Sequence, residues 1–297
     1  EKFLAEMDAV VPWARLLALI EPHYPKMGSK GGRPTIPLEV MLRIYCLQQW
    51  YALSDPMAEE SLYDSEAMRR FAGLELGDDR IPDETTILNF RHLLERHALT
   101  EAMFAEVNAH LAERGVSVRS GTLVDATIID APSSTKNKAG KRDPDMSSTK
   151  KGNDWYFGMK AHVGVDAGTG IVHSLETTTA KVHDSRVWDE LLHGGETSIW
   201  ADKAYVSADR KEAFEGPDKF WGVMRKAPKG GALHSIDAQI NRLIAKVRSK
   251  VEHPFRVLKR QFGYIKTRYR GLTKNRAQLF SLFALGNLYL VRRRLMA

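Results

Sequence analysis

Apolar residues recur at three- and four-residue spacing over positions 38–53, 59–71, 83–97 and 100–114, with turn residues between the stretches. That period lines one face of an α-helix, so the chain from Thr35 to Gly115 is expected to be helical. Beyond Gly115 the period shortens. The run Gly121-Thr-Leu-Val-Asp-Ala-Thr-Ile-Ile-Asp130 predicts a buried strand, and positions 155–165 and 171–178 predict a hairpin turning on Asp166-Ala-Gly-Thr-Gly170. A helix with Asp184 as its N-cap should run to Leu192. A strand at 197–201, a helix from about Ser207, a strand at 219–224 and a long helix from about Ser235 follow.

Three strands, helix, strand, helix, strand, helix is the element order of an α/β, ribonuclease H-like fold, a mixed sheet flanked by helices. Two domains are therefore expected: an α-helical one over 1–116 and an α/β one over 117–297. Positions 133–153 are rich in Ser, Thr and Lys and predict a mobile basic loop, and positions 279–291 predict a core helix that ends in Arg292-Arg-Arg294. In the first domain, Asp83 should cap a helix that turns Arg91, His92 and Arg96 outward, as a groove-reading helix would.

A hydrophobic share of 43% and a charged share of 27% are those of a globular protein, and no apolar run reaches the ~18 residues of a membrane span. With no export signal at Glu1, the expected location is the cytoplasm and no membrane partner is expected. The single cysteine, Cys46, lies in an apolar run, so it should pack as a buried thiol. The net charge of +7 is unevenly spread. Residues 1–118 hold 12 Lys and Arg against 19 Asp and Glu, residues 119–224 hold 14 against 16, and residues 225–297 hold 18 against 2. The last quarter thus carries a net +16, which favours a polyanionic partner.

An Asp between apolar neighbours in a buried strand is costly unless it is paired or bound to a cation. Asp125, between Val124 and Ala126, is such a residue, and Asp202 follows directly on the strand Ile199-Trp-Ala201. On the long helix the apolar stripe Ile236, Ile240, Leu243, Ile244, Val247 and Val251 places Arg248 and Glu252 along its border. Three carboxylates so placed would hold two Mg²⁺ ions ~3.5–4 Å apart for in-line attack on a phosphodiester, with Mn²⁺ as a substitute. Lys203 and Tyr205, close to Asp202, are placed to touch phosphate, a packed side chain being the equal reading for Tyr205.

These residues resemble a known family. Asp125-Ala-Thr, Trp200-Ala-Asp202-Lys-Ala-Tyr205, and Arg248 with Glu252 four positions on and Lys259 seven further are similar to the DDE transposases of bacterial insertion sequences. The superfamily is the one that includes the fourth and fifth named families, and the likeness is greatest to the fifth. The resemblance spans nearly the whole chain, its most specific part being Val251-Glu-His-Pro-Phe-Arg-Val-Leu-Lys-Arg-Gln-Phe-Gly-Tyr264. It implies Asp125, Asp202 and Glu252 as the catalytic, metal-binding triad and Arg248 and Lys259 as DNA-end contacts. Arg256 and Arg260 join them as further basic contacts. The implied partners are terminal inverted repeats, target DNA and a second copy of the chain when DNA ends are bound.

The chain departs from the related fourth-family pattern in two ways. Ala245 stands where that pattern has a tyrosine, and 49 residues between Asp202 and Glu252 leave no room for a large inserted β-domain. Pro254 should make the helix kink or restart just after Glu252. His162, His173 and His183 lack the spacing and the cysteines of a zinc set. A regulator that binds DNA without cutting it, and a structure-specific nuclease of the same fold, are the rival readings.

Overall fold

In a computed structural model of the protein, residues 1–26, 35–116, 121–138 and 140–297 are described. The expected 116/117 boundary abuts positions 117–120, and position 139 falls in the expected loop; both lie outside the described residues. The chain divides into two compact units. One comprises Glu1–Leu111, Leu258–Tyr264 and Ala277–Ala297, and the other Ala112–Val257 and Ile265–Arg276.

The first unit is helical: α1 (Lys2–Val10), α2 (Trp13–Ile20), α3 (Leu38–Trp50), α4 (Asp55–Asp64), α5 (Glu66–Ala72), α6 (Glu84–Arg96) and α7 (Leu99–Glu113, to Leu111 here). Helix α3 is buried almost all round, as suits the centre of a helical core. Cys46 is fully buried there, and burial pushes its thiol up to about 12. The polar residues of α3 find partners: Gln48 donates to Asp55, and Tyr45 shares a 2.8 Å bond with Ser281. Ser281 belongs to the C-terminal helix α11 (Leu272–Leu295), whose residues from Ala277 onward pack in this unit. The single helix expected over 59–71 is interrupted at Ser65, whose hydroxyl accepts from the Met68 N–H and so starts α5 as a separate helix. Asp83 caps α6 as expected, accepting from the Thr86 N–H at 2.7 Å. Arg91 does not face outward. It lies 7% exposed between Asp55 and Glu95, at 2.9 Å from each, because the helix turns this position toward α4. Arg96 is exposed and His92 half-buried.

The second unit is built on an open mixed sheet of β1 (Gly121–Asp130), β2 (Ser147–Lys151), β3 (Asp154–Asp166), β4 (Val172–Thr179), β5 (Ser198–Ala201) and β6 (Phe220–Val223). The strand order is β2-β3-β1-β5-β6, and β4 pairs with β3 beyond β2. β1 runs antiparallel to β3 and parallel to β5, as β5 does to β6. Helices α8 (Ala208–Phe214), α9 (Ser235–Arg248) and α10 (Glu252–Arg256) complete a ribonuclease H-like core. No helix among the described residues is long and apolar enough to cross a membrane.

Local differences from the sequence pattern have physical causes. Residues 147–151, expected in a loop, form β2 because their backbone completes the free edge of β3. The helix expected from Asp184 is two 3-10 turns, Asp184–Val187 and Asp189–Leu191, and the cap is His183, whose ring accepts from the Ser185 N–H. The helix of Ser235 ends at Arg248 in a 3-10 turn, Ser249–Val251, restarts at Glu252, and passes Pro254 into a π turn, Val257–Gln261. Proline removes one donor and crowds the preceding turn, so regular α geometry is not kept across it.

Gly158 sits where β3 changes its outer neighbour from β2 to β4, paired to both Asp130 and Ser147. A Cβ there would lie 2.0 Å from the Ile129 carbonyl oxygen, a backbone atom that cannot swing aside. Gly158→Ala is expected to lower stability by about 1–3 kcal/mol through forced separation of β1 and β3. Urea unfolding with an unchanged midpoint would contradict this.

Candidate active site

Val124 and Ala201 form the last pair of the β1–β5 ladder, so the next residue on each chain is an aspartate, Asp125 and Asp202. Neighbouring strands lie ~4.8 Å apart, which brings the two carboxylates to one end of the parallel pair. Asp125 is 28% exposed. Its Oδ1 accepts from the Ala126 N–H at 2.8 Å, and its Oδ2 lies 3.3 Å from Nη2 of Arg248. Asp202 ends β5 and accepts from the Lys203 N–H, which starts a 3-10 turn over Lys203–Tyr205. Burial raises the Asp125 carboxyl above the usual range, and the negative charges of Asp202 and Asp184 add to that, while Arg248 and the Ala126 N–H oppose it.

Arg248, at the last position of α9, is 16% exposed and also donates to the Met224 sulfur at 3.4 Å. The 3-10 turn after it lies against β1, with Val251 buried. Glu252 follows at once, so its backbone is beside the strand of Asp125, but its side chain is exposed. Among the described residues no three His, Cys, Asp or Glu side chains are close enough to hold a metal ion. Asp125 and Asp202 fit an oxygen-ligated divalent ion as a pair; the three-carboxylate set is not gathered at ligating distance. Lys203 is exposed beside Asp202, as is Arg256 on α10. Lys259, partly buried, and Arg260, exposed, lie in the π turn and belong to the helical unit.

The apolar stripe of α9 is only partly covered. Ile244 and Val251 are buried, but Ile236 and Leu243 are 58% and 67% exposed. Leu243, with Ile240 and Val247, borders a groove of about 730 Å³ between α9, α8 and the short edge strand β6.

The structure also defines the surroundings of Asp184 and Tyr205, the latter as the packed side chain that was one of its two readings. Asp184 bonds Lys160 Nζ at 2.7 Å and lies 4.0 Å from Nδ1 of the fully buried His162. Burial lowers His162 to about 4, with Lys160 acting in the same direction and Asp184 and Glu176 against it. Tyr205 is 1% exposed against Trp188, and its hydroxyl has no hydrogen-bond partner. Its pKa is raised, first by burial and then by the fields of Asp184, Asp125 and Asp202. The Nε of Arg248 and Nδ1 of His162 are likewise buried without a partner. Unpartnered polar atoms beside these carboxylates mark a site suited to a polar guest. The signal in the sequence was the pair Lys160 and His162, polar residues on alternate positions of an otherwise apolar strand. His162 otherwise bonds Thr178, His173 contacts Thr122 and Ser174, and His183 caps a turn, so the three do not converge on a metal.

The family described as "Transposase DDE domain" matches residues 117–288, and one described as "Transposase domain (DUF772)" matches residues 1–93. Among solved structures, the chain is similar to the piggyBac transposase synaptic complex with hairpin DNA. The identity is 12% and the TM-score 0.43, over 97% of this chain and 72% of that one. With the DDE match covering more than half of its length, the chain belongs to the DDE transposase family.

Proposed function

We propose that the protein binds the terminal inverted repeats of an insertion sequence of the fourth- and fifth-family group, cleaves DNA at those ends and joins them to target DNA. It would act as a homodimer that bridges two ends. The observation that carries this reading is the register of Asp125 and Asp202 on neighbouring strands, with Arg248 at 3.3 Å from Asp125. The two aspartates would hold Mg²⁺, or Mn²⁺ in its place, with Glu252 as the third carboxylate. The bound ion supplies charge stabilisation to the phosphate under attack.

The chain's own groups do the rest. Arg248 opposes the burial that raises the Asp125 carboxyl, and its planar fork is suited to hold a phosphate oxygen beside that carboxylate. Tyr205 packs as a buried wall beside the carboxylates, and the neutral ring of His162 holds the Asp184 side of the cluster without adding charge. Lys203, Lys259, Arg256 and Arg260 supply contacts to the DNA backbone, which offset the repulsion between phosphate and carboxylates.

Incubation with Mg²⁺ and the DNA that flanks the protein's own gene, followed by mapping of new ends, tests the reading. Ends at fixed positions, lost with EDTA, are expected; unbroken DNA at every metal concentration would refute it. Affinity should also fall by ~10³-fold or more between 50 and 200 mM salt if six or more phosphates are contacted. Binding that is indifferent to salt would contradict the role given to the basic last quarter.

A further inference from the structure

Trp155 is 71% exposed at the start of β3, an unusual position for an indole. Antiparallel pairing sets Lys150 directly opposite it, and Phe157 and Ser148 follow on the same face of the two-stranded ribbon. The guanidinium of Arg142 stacks over Phe157 at 5.3 Å and donates to the Ser133 carbonyl at 2.8 Å, which ties the preceding loop to this face. Lys136, Lys138, Lys141, Lys150 and Lys151 are all exposed, as is Arg142. None of the six forms an ion pair among the described residues. The two acidic residues of the loop are already engaged, Asp143 with the Gly271 N–H at 2.7 Å and Asp145 with the Leu272 N–H at 3.1 Å. The face of the ribbon that carries Lys150 thus sets cations around an exposed aromatic ring, while the exposed carboxylate of Asp154 lies opposite Lys151 on the other face. Cations alone would describe any solvated edge strand; the exposed indole adds a flat apolar face on which a base or sugar can pack.

We infer that the β2–β3 ribbon is a DNA-binding element, its lysines on phosphates and the Trp155 indole against a base or sugar face of the duplex. A two-stranded antiparallel ribbon fits the major groove, and an aromatic wedge between cations is a general means of gripping nucleic acid. Val163 pairs with Asp125, and Trp155 lies eight residues from it along β3, about 26 Å at 3.3 Å per residue. The ribbon thus grips DNA away from the reacting phosphate, by a span of roughly eight base-pair steps. This rests on the proposed transposase reading and adds to it a site that the carboxylates do not need for chemistry.

The test uses the full chain and a 40-base-pair duplex. Lys150→Ala is expected to reduce the slope of log affinity against log salt by about one. Trp155→Ala should weaken binding about tenfold with the slope unchanged, and Trp155→Phe should restore most of it. The emission difference between the wild type and Trp155→Phe should be quenched by the duplex. Lys150 and Trp155 are both exposed, so the fold is not at stake, and circular dichroism checks it. Variants that bind as the wild type does, with emission from Trp155 indifferent to DNA, overturn the inference while the transposase reading stands. A response of Trp155 to anionic phosphatidylglycerol vesicles but not to DNA would also overturn it, by pointing to a membrane surface. A wild-type chain that binds no duplex at any salt would sink both readings.

Discussion

Asp125→Asn is expected to lower DNA cleavage by at least ~10³-fold and yet to leave the protein as stable as the wild type at neutral pH, or more so. The first half follows from the proposed role, since an amide neither carries the charge nor offers the same ligand. The second follows from the raised pKa. A carboxyl whose folded-state value exceeds its unfolded one favours the folded state when protonated. Its contribution is fully present below the unfolded value, ~3.9, and is lost as pH rises through the folded value. At neutral pH the ionised Asp125 therefore costs stability, through burial and repulsion by Asp202 and Asp184, and asparagine imitates the protonated form. Its amide oxygen can still accept from Arg248. Single-turnover cleavage and urea unfolding between pH 5 and 8 measure the two halves. Wild-type cleavage by the variant would remove Asp125 from the chemistry, whereas a marked loss of stability at pH 7 would show that the ion pair with Arg248 outweighs burial.

Arg91→Ala should destabilise the helical unit by about 3–5 kcal/mol while changing duplex affinity little in the protein that remains folded. The guanidinium is 7% exposed and bonded to Asp55 and Glu95, themselves only 16% and 15% exposed. Its removal leaves two partly buried carboxylates facing one another without a cation, and a cavity of several methylenes. Asp55 would keep only its bond from Gln48 among its side-chain contacts to α3. Arg91→Lys should recover part of the loss, because one ammonium cannot fork between two acids. A groove-reading Arg91 would behave in the opposite way, with weaker DNA binding and an unchanged unfolding midpoint. Thermal and urea unfolding set beside duplex titration separate the two.

The spacing of apolar residues was enough to place β1 residue for residue and to find the other core strands within a residue or two, because alternation and β-branched runs are local properties. It also gave α3, α6, α7 and the cap at Asp83. Asp125 and Asp202 were legible as candidates for the same reason: a charge set directly in or after a buried strand is locally anomalous. What local pattern cannot carry is which strands become neighbours. The register that brings Asp125 beside Asp202 arises from parallel pairing of segments about 75 residues apart, and only the sheet decides it.

Tertiary structure likewise decided the fate of the charged side chains. Arg91 and Arg96 have the same outward appearance in sequence, yet one is buried between two acids because α4 packs against that face of α6. Residues 147–151 look like loop by composition and become a strand because β3 offers them an unpaired edge. Asp184 has the position of a cap and serves instead as the partner of Lys160, since His183 reaches the free N–H first. Local pattern gave most elements and the residues out of place within them; long-range packing made β2 a strand and determined which of those residues found a partner and which, like the buried hydroxyl of Tyr205, were left without one.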